Sequence, residues 1–193
     1  MRIISGKARG VRLTAPVSDV VRPTEDRVKE TLFSILGDLT GAVVLDLFSG
    51  TGSLGLEAVS RGAATVYLVE RDQRQIDALR VNLAAVAKAM PEASAAARII
   101  HADVGQLAGL LPPACRGAVN LILADPPYHT PAGDFGAAEL LQCRELVPFL
   151  SPDCRLVLEQ ATGDGLPWAP FSPWHLRRQK SFGIRTLSFA ALE

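Results

Sequence analysis

V-V-L-D-L-F-S-G-T-G-S-L-G-L-E-A-V-S-R-G, residues Val43–Gly62, is the stretch on which the reading of this chain turns. An apolar run, Val43–Leu47, carries an acid at Asp46 and is expected to be a buried strand. The chain then turns through Gly50, Gly52 and Gly55 into a helix-like segment, Leu54–Arg61, closed by Gly62. A strand, a tight turn and a helix N-terminus are what nucleotide-binding α/β folds place at their ligand. Gly50-x-Gly52-x-x-Gly55, with Glu70 twenty positions after Gly50, even satisfies the dinucleotide fingerprint. Taken alone, the stretch points to a nicotinamide enzyme.

Upstream of it, residues 2–15 alternate apolar and basic positions around Gly6 and Gly10, which suggests a short two-stranded ribbon or arm. Pro16 and Pro23 bracket a connection. Thr24 reads as an N-cap, and Val28, Leu32, Ile35 and Leu36 recur at helical spacing until Gly37. This helix precedes every core strand, so it is expected over the ligand crevice or a sheet edge.

Downstream, Thr65–Val69 is a second strand ending at Glu70. Asp72 caps the next helix, with Gln75 placed for a reciprocal capping contact and an apolar stripe at Ile76, Leu79, Leu83, Val86 and Met90. Pro91–Ala97 reads as a loop and Arg98–His101 as a third strand; Asp103 and a helix-like Val104–Leu111 follow. After Pro112-Pro113, Val119–Ala124 forms a fourth strand running into Asp125-Pro126-Pro127-Tyr128. A loop at 129–136, a helix over roughly 137–149 and a strand at Arg155–Glu159 come next. Beyond a loop at Gly163–Pro173, His175–Ser181 and Ile184–Phe189 suggest a hairpin about Phe182-Gly183. Strands alternating with helices give an α/β open parallel sheet covered on both faces. The expected division is a basic arm, residues 1–23, and one α/β domain, 24–193.

With 193 residues, 48% of them hydrophobic and 21% charged, the chain is long and apolar enough for one folded domain. It contains no apolar run of membrane-spanning length and no signal-peptide core at its N-terminus, so a cytoplasmic protein is expected. Cys115, Cys143 and Cys154 are odd in number and far apart, as are His101, His129 and His175. Neither set suggests a disulfide framework or a metal site. The formal net charge of zero hides an asymmetry. Residues 1–29 hold seven Lys/Arg against three acids, net +4; residues 175–185 hold Arg177, Arg178, Lys180 and Arg185 and no acid. Residues 30–174 hold nine bases against sixteen acids, net −7. Two basic segments around an acidic body suit a phosphate backbone.

In an open parallel sheet the ligand lies beyond the carboxyl ends of the strands. Asp46, Glu70, Asp103 and Asp125 stand at or beside four such ends. A pyrophosphate would be repelled by them, whereas a ligand bearing a cation, hydroxyls and an amine would be matched. S-adenosyl-L-methionine is such a ligand. Asp125-Pro126-Pro127-Tyr128 resembles the Asp/Asn-Pro-Pro-Tyr/Phe signature of amino-methyltransferases that modify exocyclic amines of bases. The chemistry is readable in it. Hydrogen bonds from the amine to the Asp125 carboxylate and the Pro126 carbonyl would localise a delocalised lone pair. Two prolines fix the backbone without competing N–H groups, and Tyr128 would stack on an extruded base.

R-I-I-S-G-K-A-R-G, R-P-T-E-D-R-V-K-E-T-L-F, D-L-F-S-G-T-G-S-L-G-L-E-A-V-S-R-G-A and A-D-P-P-Y together resemble the bacterial ribosomal-RNA small-subunit methyltransferase D family. The resemblance implies a Rossmann-like class I S-adenosylmethionine-dependent methyltransferase fold, with a mostly parallel seven-stranded sheet and a C-terminal antiparallel hairpin. It also implies methylation of N2 of a guanine in 16S rRNA, on the small ribosomal subunit or its assembly intermediate, by a monomer without metal. Asp125, Pro126, Pro127 and Tyr128 would be catalytic. Thr24, Asp46, Phe48, Gly50, Gly52, Glu70, Arg71, Asp103 and Asp125 would contact the cofactor; Arg2, Lys7, Arg9, Arg12, Arg22 and Arg27 would contact RNA. The alternatives left open are an adenine-N6 DNA methylase, an enzyme acting on glutamine side chains, a nicotinamide oxidoreductase and a catalytically silent RNA-binding relative.

Overall fold

Strand β1 (Val43–Leu47) lies at the centre of the sheet, and the rest of the fold is laid out to either side of it. The computed structural model describes residues 1–15, 23–131, 133–168 and 172–192. In chain order the elements are α1 (Pro23–Leu36), β1, α2 (Ser53–Ser60), β2 (Thr65–Glu70), α3 (Gln73–Ala89), α4 (Ala93–Ala96) and β3 (Ala97–His101). Then come β4 (Val119–Ala124), α5 (Ala137–Gln142), β5 (Leu150–Ala161), β6 (Trp174–Phe182) and β7 (Arg185–Leu192), with 3₁₀ turns at Val104–Gly109, Pro113–Cys115 and Val147–Phe149.

The seven strands lie in the order β3-β2-β1-β4-β5-β7-β6. Pairing is parallel from β3 to β5 and antiparallel from β5 through β7 to β6. The chain runs outward from β1 to β3 and then crosses back to β4. The direction of winding therefore reverses between β1 and β4, and such a switch point opens a crevice at the strands' carboxyl ends. Register places Asp46 beside Leu123 and Leu47 beside Ala124, so Asp46 and Asp125 stand near the carboxyl ends of two neighbouring strands.

Both faces of the central strands β1 and β4 are buried, which is why they read as apolar runs instead of alternating patterns. Val44, Val66, Leu68, Leu121 and Leu123 pack with α1, α2 and α3 on one side. Leu45, Leu47, Val69, Ile122 and Leu158 pack with α5 and the 3₁₀ turns on the other. Each such side chain contributes about 1.5–3 kcal/mol. The N-terminal arm is part of this construction, because Ile3, Ala8 and Leu13 are buried in the first cluster. Helix α1 lies over the crevice, and its Val28, Lys29 and Leu32 line it.

Several elements differ from their sequence reading. The arm's ribbon is reduced to one antiparallel bridge, Arg2 with Arg12, because turns occupy most of the residues between. Helix α1 opens at Pro23, the residue whose fixed φ suits a first turn, so Thr24 stands inside the helix. Pro91–Ala97 contains the short helix α4, consistent with its run of alanines. The expected Val104–Leu111 helix is a 3₁₀ turn ending at Gly109. The helix expected over 137–149 stops at Gln142, because Cys143 is extended (ψ 102°) and Pro148 cannot continue it. Asp72 caps α3 by accepting from the Arg74 N–H, but Gln75 does not reciprocate, since the Asp72 N–H is already donated to Glu70 Oε1 at 2.8 Å.

Candidate functional site

A cleft of about 900 Å³ opens at the carboxyl rim, and it gathers residues from α1, α2, α3, β1, β2, β5 and β7 and from the segment that follows β4. Asp46, Phe48, Gly50, Glu70, Arg71, Asp103, Asp125, Pro126, Pro127 and Tyr128 all line it. Among the described residues, Phe48 is the one non-glycine in the left-handed region (φ 58°). A phenylalanine held there costs about 1–3 kcal/mol, and the strained turn presents its side chain to the cleft.

Asp46 builds the turn as well as lining the cleft. Its carboxylate, 1% exposed as a residue, accepts from the Gly55 N–H at 2.8 Å. A Cβ at Gly55 would lie 2.6 Å from the same oxygen, so only glycine permits this approach. Burial pushes the Asp46 carboxyl up to about 7, with the Glu70 charge adding to the rise and the Gly55 and Ser49 hydrogen bonds opposing it. Gly52 adopts a left-handed conformation (φ 81°) ahead of α2 and faces Leu79 and Leu56 in the core, not the cleft.

Glu70 organises the turn from β2. Oε2 accepts from the Gly50 N–H, and Oε1 accepts from the Arg71 and Asp72 N–H groups, each at 2.8 Å. Three of four lone pairs are thereby used, which leaves one on Oε2 for a ligand hydroxyl. Asp103 caps the 3₁₀ turn through the Gly105 N–H at 2.9 Å and takes an Arg71 nitrogen at 3.0 Å. The second Arg71 nitrogen reaches Asp134 at 2.9 Å. These two carboxylates hold the Arg71 guanidinium above its ordinary pKa.

Asp125 follows β4 and is exposed, Pro126 is buried, and Tyr128 projects into the cleft at 37% exposure. The Tyr128 hydroxyl donates to Glu159 Oε1 at 2.9 Å, and Arg185 pairs with the same oxygen at 3.3 Å. Burial, followed by the Glu159 charge, raises the Tyr128 phenol well above its usual range, so it remains a donor.

Among the cleft residues that sequence reasoning missed, four bear on the site's chemistry. Glu159 was visible as a fifth acid near a strand end. Arg185 sits at the start of β7, and Lys29 is buried on α1, donating to the Arg2 carbonyl at 2.6 Å. Burial lowers the Lys29 pKa against the opposing pull of Glu57. Gln75 also lines the cleft, and its Oε1 is a buried acceptor with no partner. Such an atom costs about 1–3 kcal/mol and is what a donor on a bound ligand would satisfy.

The proposed RNA contacts lie apart from the cleft. Arg2 pairs with Asp26 at 3.1 Å and Lys7 with Glu92 at 2.8 Å, both largely exposed. Arg9, Arg12 and Arg27 are exposed. Arg2 and Arg9 border a second hollow of about 530 Å³ between the arm and α1. Arg22 and the Thr24 side chain lie outside the described residues. Lys29, counted among the basic residues of the N-terminal segment, is buried and contributes nothing to an exposed basic surface. All three cysteines are free thiols. Among the described residues, no helix is long and apolar enough to cross a membrane.

This sheet order, with a glycine turn after β1 and an Asp-Pro-Pro-Tyr segment after β4, defines a Rossmann-like class I methyltransferase fold. A putative methyltransferase from Escherichia coli superposes with a TM-score of 0.77 at 32% identity, covering 100% of this chain and 98% of that one. A putative methylase from Haemophilus influenzae gives 0.73 at 27% identity, covering 100% and 98%. Residues 1–191 match the family described as Conserved hypothetical protein 95. The ribosomal RNA small subunit methyltransferase D of Escherichia coli K12 is 34% identical over 95% of this chain and 85% of its own length. A putative rRNA methyltransferase of Bacillus subtilis is 38% identical over 66% of this chain and 67% of its own. The chain belongs to the ribosomal RNA small subunit methyltransferase D family, and it is a methyltransferase.

Proposed function

We propose that this enzyme transfers a methyl group from S-adenosyl-L-methionine to the exocyclic N2 of a guanine in 16S rRNA of the small ribosomal subunit. The observation that carries the reading is the placement of Asp125-Pro126-Pro127-Tyr128 on the rim of the cleft that the glycine turn and Glu70 also line. The residues present fit the cofactor. Asp46 offers a carboxylate to a cationic amino-acid end, Glu70 keeps a lone pair for a ribose hydroxyl, and the orphaned Gln75 Oε1 awaits a donor. Asp103 is the weakest of the expected contacts, since capping and Arg71 already engage both of its oxygens. When bound, the cofactor supplies an electrophilic methyl on a sulfonium.

The protein's part is orientation. Asp125 and the Pro126 carbonyl accept from the guanine amine, holding its lone pair toward the methyl donor. Tyr128 stacks on the flipped base, an interaction worth about 1–3 kcal/mol. Family relatives bearing the rRNA methyltransferase name support the RNA target, as does the basic arm.

The test is transfer of labelled methyl onto small-subunit particles from a strain lacking this protein, followed by identification of the product base. N2-methylguanine in 16S rRNA is expected. Asp125→Ala should lower turnover by orders of magnitude with cofactor affinity nearly intact. Labelling of bare duplex DNA but not of particles would overturn the rRNA reading.

A further inference from the structure

The sequence ends in a basic hairpin, and of its residues the catalytic reading uses only Arg185. We propose that the outer strand β6, continued through the hairpin tip, is a second docking surface for the phosphate backbone of folded rRNA. The substrate would then meet two separate basic surfaces, the arm and the hairpin. This inference rests on the rRNA reading above and extends it.

Three observations point the same way. The first is exposure. Every residue from His175 to Ser181 is exposed, on both faces of the strand, whereas β1, β4, β5 and β7 bury most of theirs. Among the described residues, strand β6 pairs with β7 alone, at the end of the sheet. The second is charge. Arg177, Arg178 and Lys180 stand on this strand, and residues 175–185 contain no acid, against a net −7 for residues 30–174. The polyanionic backbone of RNA complements that surface.

The third is position. Strand β7 runs antiparallel to β5, with Arg185 opposite Ala161, so the turn at 182–184 stands at the carboxyl rim. Ile184, 68% exposed, and Arg185 line the same cleft as Asp125 and Tyr128. From Phe182 back to Arg177 the strand runs about 16 Å away from that rim at roughly 3.3 Å per residue. The register slips between Leu176 and Arg178, leaving Arg177 as the extra residue of a bulge. A bulge of this kind re-aims side chains on an edge strand. The arm sits on the other half of the molecule, tied to α2 through Glu57, to α3 through Asn82 and beside α4 through Glu92. In strand order β6 is as far as possible from β3 and β2, against which α3 and α4 pack, while α2 packs on β2 and β1. A substrate meeting both surfaces must be a folded RNA of some extent, such as a junction in an assembled particle, rather than a short single strand.

The experiment compares wild type with the triple variant Arg177→Gln/Arg178→Gln/Lys180→Gln and the charge-keeping variant Arg177→Lys/Arg178→Lys/Lys180→Arg. Small-subunit particles are the probe. The Gln variant should bind them about tenfold more weakly at moderate salt, with the slope of log K against log salt shallower by about 2. Its kcat at saturating particles and its affinity for S-adenosylhomocysteine should match wild type, and the charge-keeping variant should behave as wild type throughout. Unchanged particle affinity and salt slope in the Gln variant would overturn the inference. So would self-association of that variant with unaltered affinity per monomer, since the charges would then only guard a strand edge. If wild type itself neither binds nor methylates particles, the rRNA reading falls first and this inference with it.

Discussion

Tyr128 brings its ring to the cleft with one rotational freedom already removed, because its hydroxyl is held by Glu159 and Glu159 by Arg185. Tyr128→Phe keeps the stacking face and loses the tether. We expect KM for particles to rise a few-fold, with cofactor affinity unchanged in calorimetry. Glu159→Gln keeps an acceptor for the hydroxyl and should be milder than Glu159→Ala. Combining Tyr128→Phe with Glu159→Ala should cost less than the two single effects added, since both remove one interaction; strict additivity would show that Glu159 acts elsewhere. Asp46 yields a pH prediction. Its ordinary value of 3.8 rises to about 7 on burial, so the folded protein retains a proton there between about pH 4 and 7. A cationic ligand beside Asp46 favours the carboxylate and expels that proton. Affinity for S-adenosylhomocysteine should therefore climb from pH 5 to 7 and level off above. Asp46→Asn should abolish the climb. It should also gain stability relative to wild type at pH 8 compared with pH 4, because no charge is then buried. Calorimetric titrations and urea melts at those pH values check both.

At the scale of elements, β1 and β4 have the bounds their sequences suggest, because both are apolar runs stopped by a strained turn or by proline. Local pattern and observed structure part where a tertiary partner intervenes. Gln75 stands at the capping-box position for Asp72, yet the Asp72 N–H goes to Glu70, a competitor that arrives from the preceding strand. Glu57, inside Leu-Glu-Ala-Val, has the look of a solvent-facing helix residue, yet it is 0% exposed. Its carboxylate accepts from the Ile4 and Ser5 N–H groups at 2.7 and 3.0 Å and from Arg61 at 2.8 Å, with Lys29 at 3.3 Å. Partners fifty residues away leave no trace in local spacing. Of the site, the glycine turn and the acids at four strand ends were legible because the chain itself brings them to one rim. The tether on Tyr128 was not, since it depends on how β5 and β7 pair. Glu57→Ala strands a buried ammonium and two backbone donors. We expect a loss of about 3–5 kcal/mol in urea unfolding, together with faster proteolysis within residues 1–15. Adding Lys29→Met should recover part of the stability. Loss below 1 kcal/mol would mean the arm is held by Ile3, Ala8 and Leu13 alone.

For the whole molecule, stability and function meet in the cleft, because three of the groups that line it are costly to the fold. Gln75 Oε1 lacks a partner, Asp46 is buried at the cost of its charge, and Phe48 is held at φ 58°. A ligand that supplies a cation and donors relieves the first two at once, so binding should stabilise the fold globally and not only the rim. A hundred-fold excess over Kd adds about 2.7 kcal/mol, and a chain of this size gains roughly 2–4 °C per kcal/mol. The melting temperature should therefore rise by about 5–10 °C with S-adenosylhomocysteine. A nicotinamide dinucleotide should leave it unchanged, because its pyrophosphate would meet Asp46, Glu70 and Asp125 on the same rim. Amide exchange locates the effect. Protection should increase first at Gly50 and Gly55, whose N–H groups donate to Glu70 and Asp46 at the turn, and at the carboxyl ends of β1 and β4. A shift produced by the dinucleotide alone would reassign the glycine turn to pyrophosphate and remove the acids from their proposed roles.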